Sequence, residues 1–388
     1  MISPRERVLT SLSHQQPDRL PVDFTATPEI YERLVSELKL SAHPGTQSDY
    51  YDCRWEALLR FFEVDCRVLS YDQFVNLPSD KMLNGSNVEW WKTLSRSTPA
   101  RMWRQVTPDG VYHSVWGHRL RVTEHSLGAY EEIVDPPLQE AQSVEELKNH
   151  PWPDPDWWDF NPLPGIIEEW DKEMEYHIRF RIGSVFELAW QLRGMEKFLT
   201  DLILNPEIPM YIMDRLTEIY VENTRRVISL IGDRLDMVYI YDDIAGQENL
   251  LMSKKMWSDF IRPHHAKILK AVDKNSIKVM YHTDGAASKL IPDLIELGVD
   301  VLNPIQADAP GMDPEHLKGE FGDHLSFHGG IDIIKTLPKG TPEDVKKEVL
   351  DRKQVLGKNG GYIMSSSHHI QADTPTENIL AMYDQSLR

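Results

Sequence analysis

The chain has 388 residues, with 42 Lys+Arg against 61 Asp+Glu and a net charge of −19. At 41% hydrophobic and 27% charged residues, its composition is that of a folded globular protein rather than a disordered or membrane-embedded one. The negative charge repels phosphate backbones and anionic lipid, so no nucleic-acid or membrane partner is expected, and two cysteines, Cys53 and Cys66, are too few for a disulfide framework or a Cys-rich zinc site.

The first residues, MISPRERVLTSL, carry charges where a signal peptide needs an apolar run, and a cytoplasmic protein is expected. Ser3-Pro4-Arg5-Glu6 predicts a capped helix: Ser as N-cap, Pro at the first helical position, Glu closing a capping box. Short apolar or β-branched runs then recur, each ending in polar residues: 20–25, 66–72, 177–184, 237–243, 277–285, 301–306, 325–332 and 361–369. Continuous apolar strands are the pattern of a parallel sheet covered on both faces. Helical periodicity lies between most of them, and the run LILNPEIPMYIMDRLTEIYVENTRRVISLI links the third to the fourth. Thr341-Pro342-Glu343-Asp344 and Thr374-Pro375-Thr376-Glu377 predict two more capped helix starts, the former with Asp as a weaker third-position residue.

Eight strand–helix units predict a (β/α)8 TIM barrel, a fold of about 250 residues. The surplus length falls in an N-terminal helical segment and an insertion at about 95–160. There RQVTPDGVYHSVWGHRLRVTEHSL alternates around Pro-Asp-Gly and Gly117 as a β-hairpin would, and a Pro/Trp-rich loop follows. One decorated barrel domain spanning 1–388 is the expected organisation. Cys53 and Cys66 read as small core hydrophobes, and the tryptophans at 152–158 as core packing.

Active sites of barrels lie at the C-terminal ends of the strands. Here those ends carry Asp23, Asp72, Arg181, Asp242, Asp243, His282, Asp284, Gln306, His328, Ser367, His368 and His369. His282 and Asp284, two apart on an extended strand end, point the same way; they suit either a divalent metal or a proton-transfer pair. His368 or His369 is placed to complete that group, and adjacent histidines on a strand point to opposite faces, so one of them is expected at the site. Adjacent carboxylates at Asp242-Asp243 push one pKa up, which suits a general acid. Asp23, Asp72, Asp242, Gln306 and His328 are the expected substrate contacts, and His264-His265, inside a helix, read as structural. No GxGxxG, Walker loop, HExxH, GxSxG or CxxC occurs.

Segments 3–24 (SPRERVLTSLSHQQPDRLPVDF), 241–265 (YDDIAGQENLLMSKKMWSDFIRPHH), 278–306 (KVMYHTDGAASKLIPDLIELGVDVLNPIQ), 327–332 (FHGGID) and 360–384 (GGYIMSSSHHIQADTPTENILAMYD) together resemble the uroporphyrinogen decarboxylase superfamily. Within it the chain resembles the branch of corrinoid-linked methyltransferases, O-demethylases among them. The resemblance implies a barrel, and an enzyme that demethylates a small methylated donor, a methyl ether or an aromatic one. It also implies that the methyl group passes to the cob(I)alamin of a separate corrinoid protein, since no DxHxxG signature is present and the nearest run is Asp313-Pro-Glu-His316. The branch binds zinc through His-x-Cys on the fifth strand and a Cys on the eighth. Here His282 matches, while Asp284 and Ser367 stand at the two Cys positions, leaving a harder His282/Asp284/His368 zinc site or a metal-free acid site as the two expectations. The decarboxylase alternative acts on a smaller carboxylic acid. The Arg-x-x-x-Arg clamp of true decarboxylases is missing from TATPEIYERL, whose only arginine is Arg33. A homodimer is the expected assembly to test.

Overall fold

Buried apolar strands alternating with amphipathic helices wind the chain into a barrel. The computed structural model describes residues 2–41, 50, 53–91, 102–125, 128–272 and 276–387. The barrel begins with β1 (Cys66–Ser70). Five insertion strands follow: β2 (Asn87–Trp91), β3 (Met102–Val106), β4 (Tyr112–His113), β5 (Arg119–His125) and β6 (Gly128–Asp135). The barrel resumes with β7 (His177–Gly183), β8 (Met237–Tyr241), β9 (Lys278–His282), β10 (Val301–Ile305), β11 (Ser326–Ile331) and β12 (Tyr362–Ser366). The order is β1-β7-β8-β9-β10-β11-β12, and each neighbouring pair is parallel.

The expected first strand, 20–25, forms no ladder. It holds the eighth place through isolated bridges, Val22 to Met364 and Ala26 to Ile370. On its other side the Asp65 N–H donates to the Val22 carbonyl (2.9 Å), while the Val22 N–H donates to the Asp65 carboxylate (2.8 Å). A side chain thus takes the bond that a strand carbonyl would accept, and the ladder stops there. Arg7 and Arg19 bind the same carboxylate, at 2.7 Å and 2.9 Å, pinning the seam.

Period-two alternation divides the strand side chains. Val238, Ile240, Val279, Tyr281, Leu302 and Phe327 join the large cluster beneath the helices. Cys66, Met237, Tyr239, Met280, Val301 and Ile363 form a smaller cluster with Val8 and Leu12 of the helix Pro4–Leu12. That helix therefore closes one end of the barrel. Its capping box forms as expected, with Ser3 accepting from the Glu6 N–H at 3.1 Å and Glu6 from the Ser3 N–H at 2.9 Å. Asp344 completes a full box with Thr341, because its shorter side chain still reaches the N-cap N–H (2.8 Å). Thr374 caps nothing. The last helix starts at Thr376, after Pro375, and the Thr374 hydroxyl is buried without a bond.

The single hairpin expected within the insertion at about 95–160 is a five-stranded antiparallel sheet in the order β2-β3-β4-β5-β6, and it begins earlier, at Asn87. Residues 95–101 and 126–127 of the expected insertion lie outside the described residues. The Pro108-Asp109-Gly110 reversal falls between β3 and β4, with Gly110 at φ +81°. Trp103 and Trp116 of the insertion join the large core cluster, as does Trp158, and Trp116 packs on Trp158 (5.9 Å) and Tyr220 (5.7 Å). Cys66 is a buried core residue; the Cys53 side chain lies outside what is described. Among the described residues, no helix is long and apolar enough to cross a membrane.

Candidate active site

The inward phase of the strands continues past their ends and sorts the polar residues. After Tyr239 and Tyr241, the inward residue is Asp243; after Met280 and His282, it is Asp284. The His282 Nε2 lies 3.8 Å from the Asp243 Oδ1 and 3.8 Å from the Asp284 Oδ1, and the Asp284 N–H donates to Asp243 at 2.8 Å. Gly285 makes the turn after Asp284 at φ +76°. A Cβ there would come within 2.2 Å of the Gly246 carbonyl, so the loop after β8 sets the height of Asp284. Gln306 accepts the Gly285 N–H (2.6 Å) and holds the same turn.

His368 reaches this group across the barrel: its Nε2 is 3.5 Å from the Asp284 Oδ2, and its ring lies 6.2 Å from that of His282. The strand ends at Ser366, so the alternation expected of His368 and His369 no longer applies. Their rings meet edge to face, 4.5 Å apart at 74°, with 3.2 Å between the two Nδ1 atoms. Ser367 stays out of the group and lines a separate cleft with Gly330 and Asp332.

Beneath His282 runs a buried chain of hydrogen bonds. The His282 Nδ1–H donates to the Asn303 Oδ1 (2.6 Å), the Asn303 amide donates to the His328 Nδ1 (2.6 Å), and the His328 Nε2–H donates to Asp23 (2.9 Å). Arg179 completes it with an ion pair to Asp23. Burial alone would raise the Asp23 pKa, but Arg179 and His328 outweigh it and hold the carboxyl well below its usual range. An ionised Asp23 fixes the His328 tautomer, which fixes the Asn303 amide, which leaves the His282 Nε2 toward the two carboxylates. Burial pulls the His282 pKa down, yet Asp284, Asp243 and the Asn303 bond together hold it above the ordinary value. The Asp243 carboxyl is pushed up by burial and then by Asp284, against the opposing pull of His282.

His282, Asp284 and His368 present one ligand atom each, all within 4.8 Å of one another. Their donor set fits a divalent ion. The Asp284 Oδ1 is buried without a hydrogen bond, the His282 Nε2 is freed by the Asn303 bond, and two nitrogens with one oxygen leave a position open.

Several expected substrate contacts are corrected by their surroundings. Asp242 is fully buried and faces outward, against the helix Phe186–Arg193. It accepts from Ser184 (2.6 Å), the N–H groups of Val185 (3.0 Å), Phe186 (3.1 Å) and Glu187 (2.8 Å), and His265 (2.6 Å). It is a helix cap with no capacity left for a ligand. Asp23 and His328 spend their polar atoms on the chain below His282, and Gln306 on the turn. Asp72 lines a cavity of about 340 Å³ between the barrel mouth and the inserted sheet, with Tyr71, Trp103, Trp116, Arg181 and Tyr241. His264, as expected of a structural residue, bonds Thr217 (3.0 Å). Arg33 donates to the carbonyls of Ala372 and Thr374 and so holds a loop. Asp313 caps the helix Pro314–Phe321 by accepting the His316 N–H (3.0 Å).

Among the participants that escaped the sequence reading are Arg179, Asn303, Tyr239 and Glu187. Asn303 sits inside the apolar run VLNPIQ, and an amide in a buried strand was the available signal. Tyr239, 3.4 Å from Asn303, looked like an ordinary strand aromatic. Glu187, in a helical segment, gave none; burial, then Asp243 and Asp242, push its pKa up to about 7.

A model of the uroporphyrinogen decarboxylase (URO-D) family matches residues 132–386. The methylated-thiol–coenzyme M methyltransferase of Methanosarcina mazei is 24% identical over 200 residues, 52% of this chain and 50% of that protein. A uroporphyrinogen decarboxylase of Anaeromyxobacter sp. is 23% identical over 200 residues, 50% of this chain and 51% of that protein. The chain spans about half the length of these curated relatives. In the solved structure of a methyltransferase from Methanosarcina mazei the fold recurs with a TM-score of 0.62 at 15% identity, covering 98% of this chain and 97% of that one.

Proposed function

We propose, from the premise that this chain belongs to the uroporphyrinogen decarboxylase family, that it is a methyltransferase acting on a small methylated donor. The observation that carries this reading is the grouping of His282, Asp284 and His368 at the barrel mouth, next to a cavity sized for one small molecule. The name of the Methanosarcina mazei relative supports methyl transfer. The donor favoured is a methyl ether. The acceptor is the reduced corrinoid of a separate protein docked over the mouth.

A corrinoid in its cob(I) state supplies a strong nucleophile, so the chain's own residues have to hold the methyl group in line and support the leaving oxygen. His282, Asp284 and His368 are the residues that would hold a zinc ion, whose contribution there is to polarise the donor's ether oxygen. Asp243, whose carboxyl is pushed up by burial, is the neighbouring acid from which a proton can pass to the departing oxygen. Asn303 keeps the His282 ring turned so that its Nε2, rather than Nδ1, meets the ligand. Against decarboxylation of a tetrapyrrole stand the small cavity and Arg33, which is spent on backbone carbonyls.

Methyl transfer is tested by following loss of cob(I)alamin absorbance with methyl ether donors, alongside metal content by elemental analysis. The expected result is donor-dependent methylation, with roughly one zinc per chain lost in His282→Ala. Release of CO2 from a carboxylic acid without any corrinoid, by a metal-free protein, would replace this reading with a decarboxylase.

A further inference from the structure

We propose that the cleft lined by Ser367 binds an aliphatic polyamine, held by a row of carboxylates on the helix Pro342–Val355. This site is separate from the mouth group and does not depend on the methyl-transfer reading.

The cleft lies at the C-terminal ends of β10, β11 and β12 and has a volume of about 350 Å³. Asp308, Asp332, Asp344, Glu348 and Asp351 line it, five carboxylates against two cations, Lys347 and Arg352. Both cations are engaged. Lys347 pairs with Asp351 (2.6 Å) and Arg352 with Glu348 (3.1 Å), and Arg352 also donates to the Gly330 carbonyl (2.9 Å). Three negative charges are left over. Asp332 accepts the N–H groups of Ile334 (2.6 Å), Lys335 (3.2 Å) and Thr336 (3.3 Å), and Asp344 those of Thr341; such bonds orient a carboxylate without cancelling its charge. Asp344, Glu348 and Asp351 follow an i, i+4, i+7 spacing, which sets them along one face of the helix over about 10 Å. Burial pushes the Glu348 carboxyl up despite Arg352, and a second cation beside it favours its charged form.

A neutral acceptor completes the cleft. Ser367 is only 4% exposed, and among the described residues its hydroxyl makes no hydrogen bond, although its N–H donates to Ile331 (2.7 Å). A buried hydroxyl left open among carboxylates can accept an ammonium proton. A single metal ion does not answer this arrangement, because an ion needs ligand atoms converging on one point. Among the described residues only His282, Asp284 and His368 bring three His, Cys, Asp or Glu ligand atoms within 4.8 Å of one another. Charges spread along a helix face call for positive charges spread along a chain. A triamine such as spermidine carries three ammonium groups on an extended aliphatic spine, matching the three surplus charges. The volume, at the low end of small-molecule sites of about 300–1,000 Å³, admits it. Its methylenes would lie against Ala307 and Gly330.

The test is equilibrium dialysis of spermidine against the full chain at about 0.15 M salt, for the parent, E348Q, S367A and D80N. The control, D80N, removes an exposed carboxylate that does not line the cleft. The parent should bind saturably. E348Q keeps an oxygen for the Asp332 N–H and for Arg352, and should bind about tenfold more weakly. S367A, which leaves every charge in place, should lose about threefold, and D80N should match the parent. No saturable binding by the parent, or a loss in D80N as large as in E348Q and S367A, overturns the proposal. Displacement of spermidine by an equal concentration of magnesium chloride also overturns it, in favour of an inorganic cation.

Discussion

Arg179 and Arg181 leave β7 on the same side, one layer apart in the barrel, and meet opposite surroundings. The lower arginine is closed into an ion pair with Asp23, which His328 and Asn303 link to His282. The upper one faces a cavity with two tyrosine rings and, among the described residues, no carboxylate in ion-pair reach. The lower layer is saturated, so its charges hold a geometry. The upper layer is unsaturated, so its charge is available to a ligand. The same division separates Asp242, spent on a helix N-terminus, from Asp243 at the mouth.

The largest expected effect is at the mouth itself. His282→Ala should lower methyl transfer by at least about 100-fold, while its melting temperature stays near the parent's; near-normal turnover would remove the site assignment. Breaking the lower layer comes next. Asp23→Asn leaves Arg179 buried without its counter-charge and should cost about 3–5 kcal/mol in denaturant unfolding. Arg181→Met should cost nothing or stabilise the fold. Equal losses in the two variants would erase the distinction between the layers.

A smaller effect is expected at the link between them. Asn303→Leu removes the acceptor that orients His282 and should weaken zinc binding about 10–100-fold, measured by chelator competition. The smallest effect concerns acid stability at the first residue of β7. His177 is buried with neither ring nitrogen bonded. Burial, only partly offset by Asp236, lowers its pKa to about 4. The unfolded chain takes up that proton near the ordinary histidine value while the folded chain refuses it until about pH 4. Stability is therefore full above that window and lost as the pH falls through it. His177→Phe should flatten this dependence by up to about 1.4 kcal/mol per pH unit, seen as parallel unfolding midpoints at pH 7 and 5.

Seven of the eight expected barrel strands, the first helix cap, the barrel and the His282–Asp284 pair were legible along the chain, because each rests on local signals. Runs of apolar residues mark buried strands, Ser-Pro-x-Glu marks a helix start, and an i, i+2 spacing puts two side chains on one side whatever the fold. The inward phase of each strand was not legible. A parallel strand buried on both faces carries no polar alternation, so nothing in Tyr241-Asp242-Asp243 told which carboxylate would face the mouth. Nor does sequence order show what closes across a barrel: the meeting of His368 with Asp284 and of Asp23 with Arg179, and the shared cavity of Trp103, Trp116 and Arg181, join residues far apart in the chain. Local chemistry was thus determined by the sequence alone. Which charges were neutralised and which were left for a ligand was decided by the tertiary structure, since compensation depends on distances that only the closed barrel and its inserted sheet create.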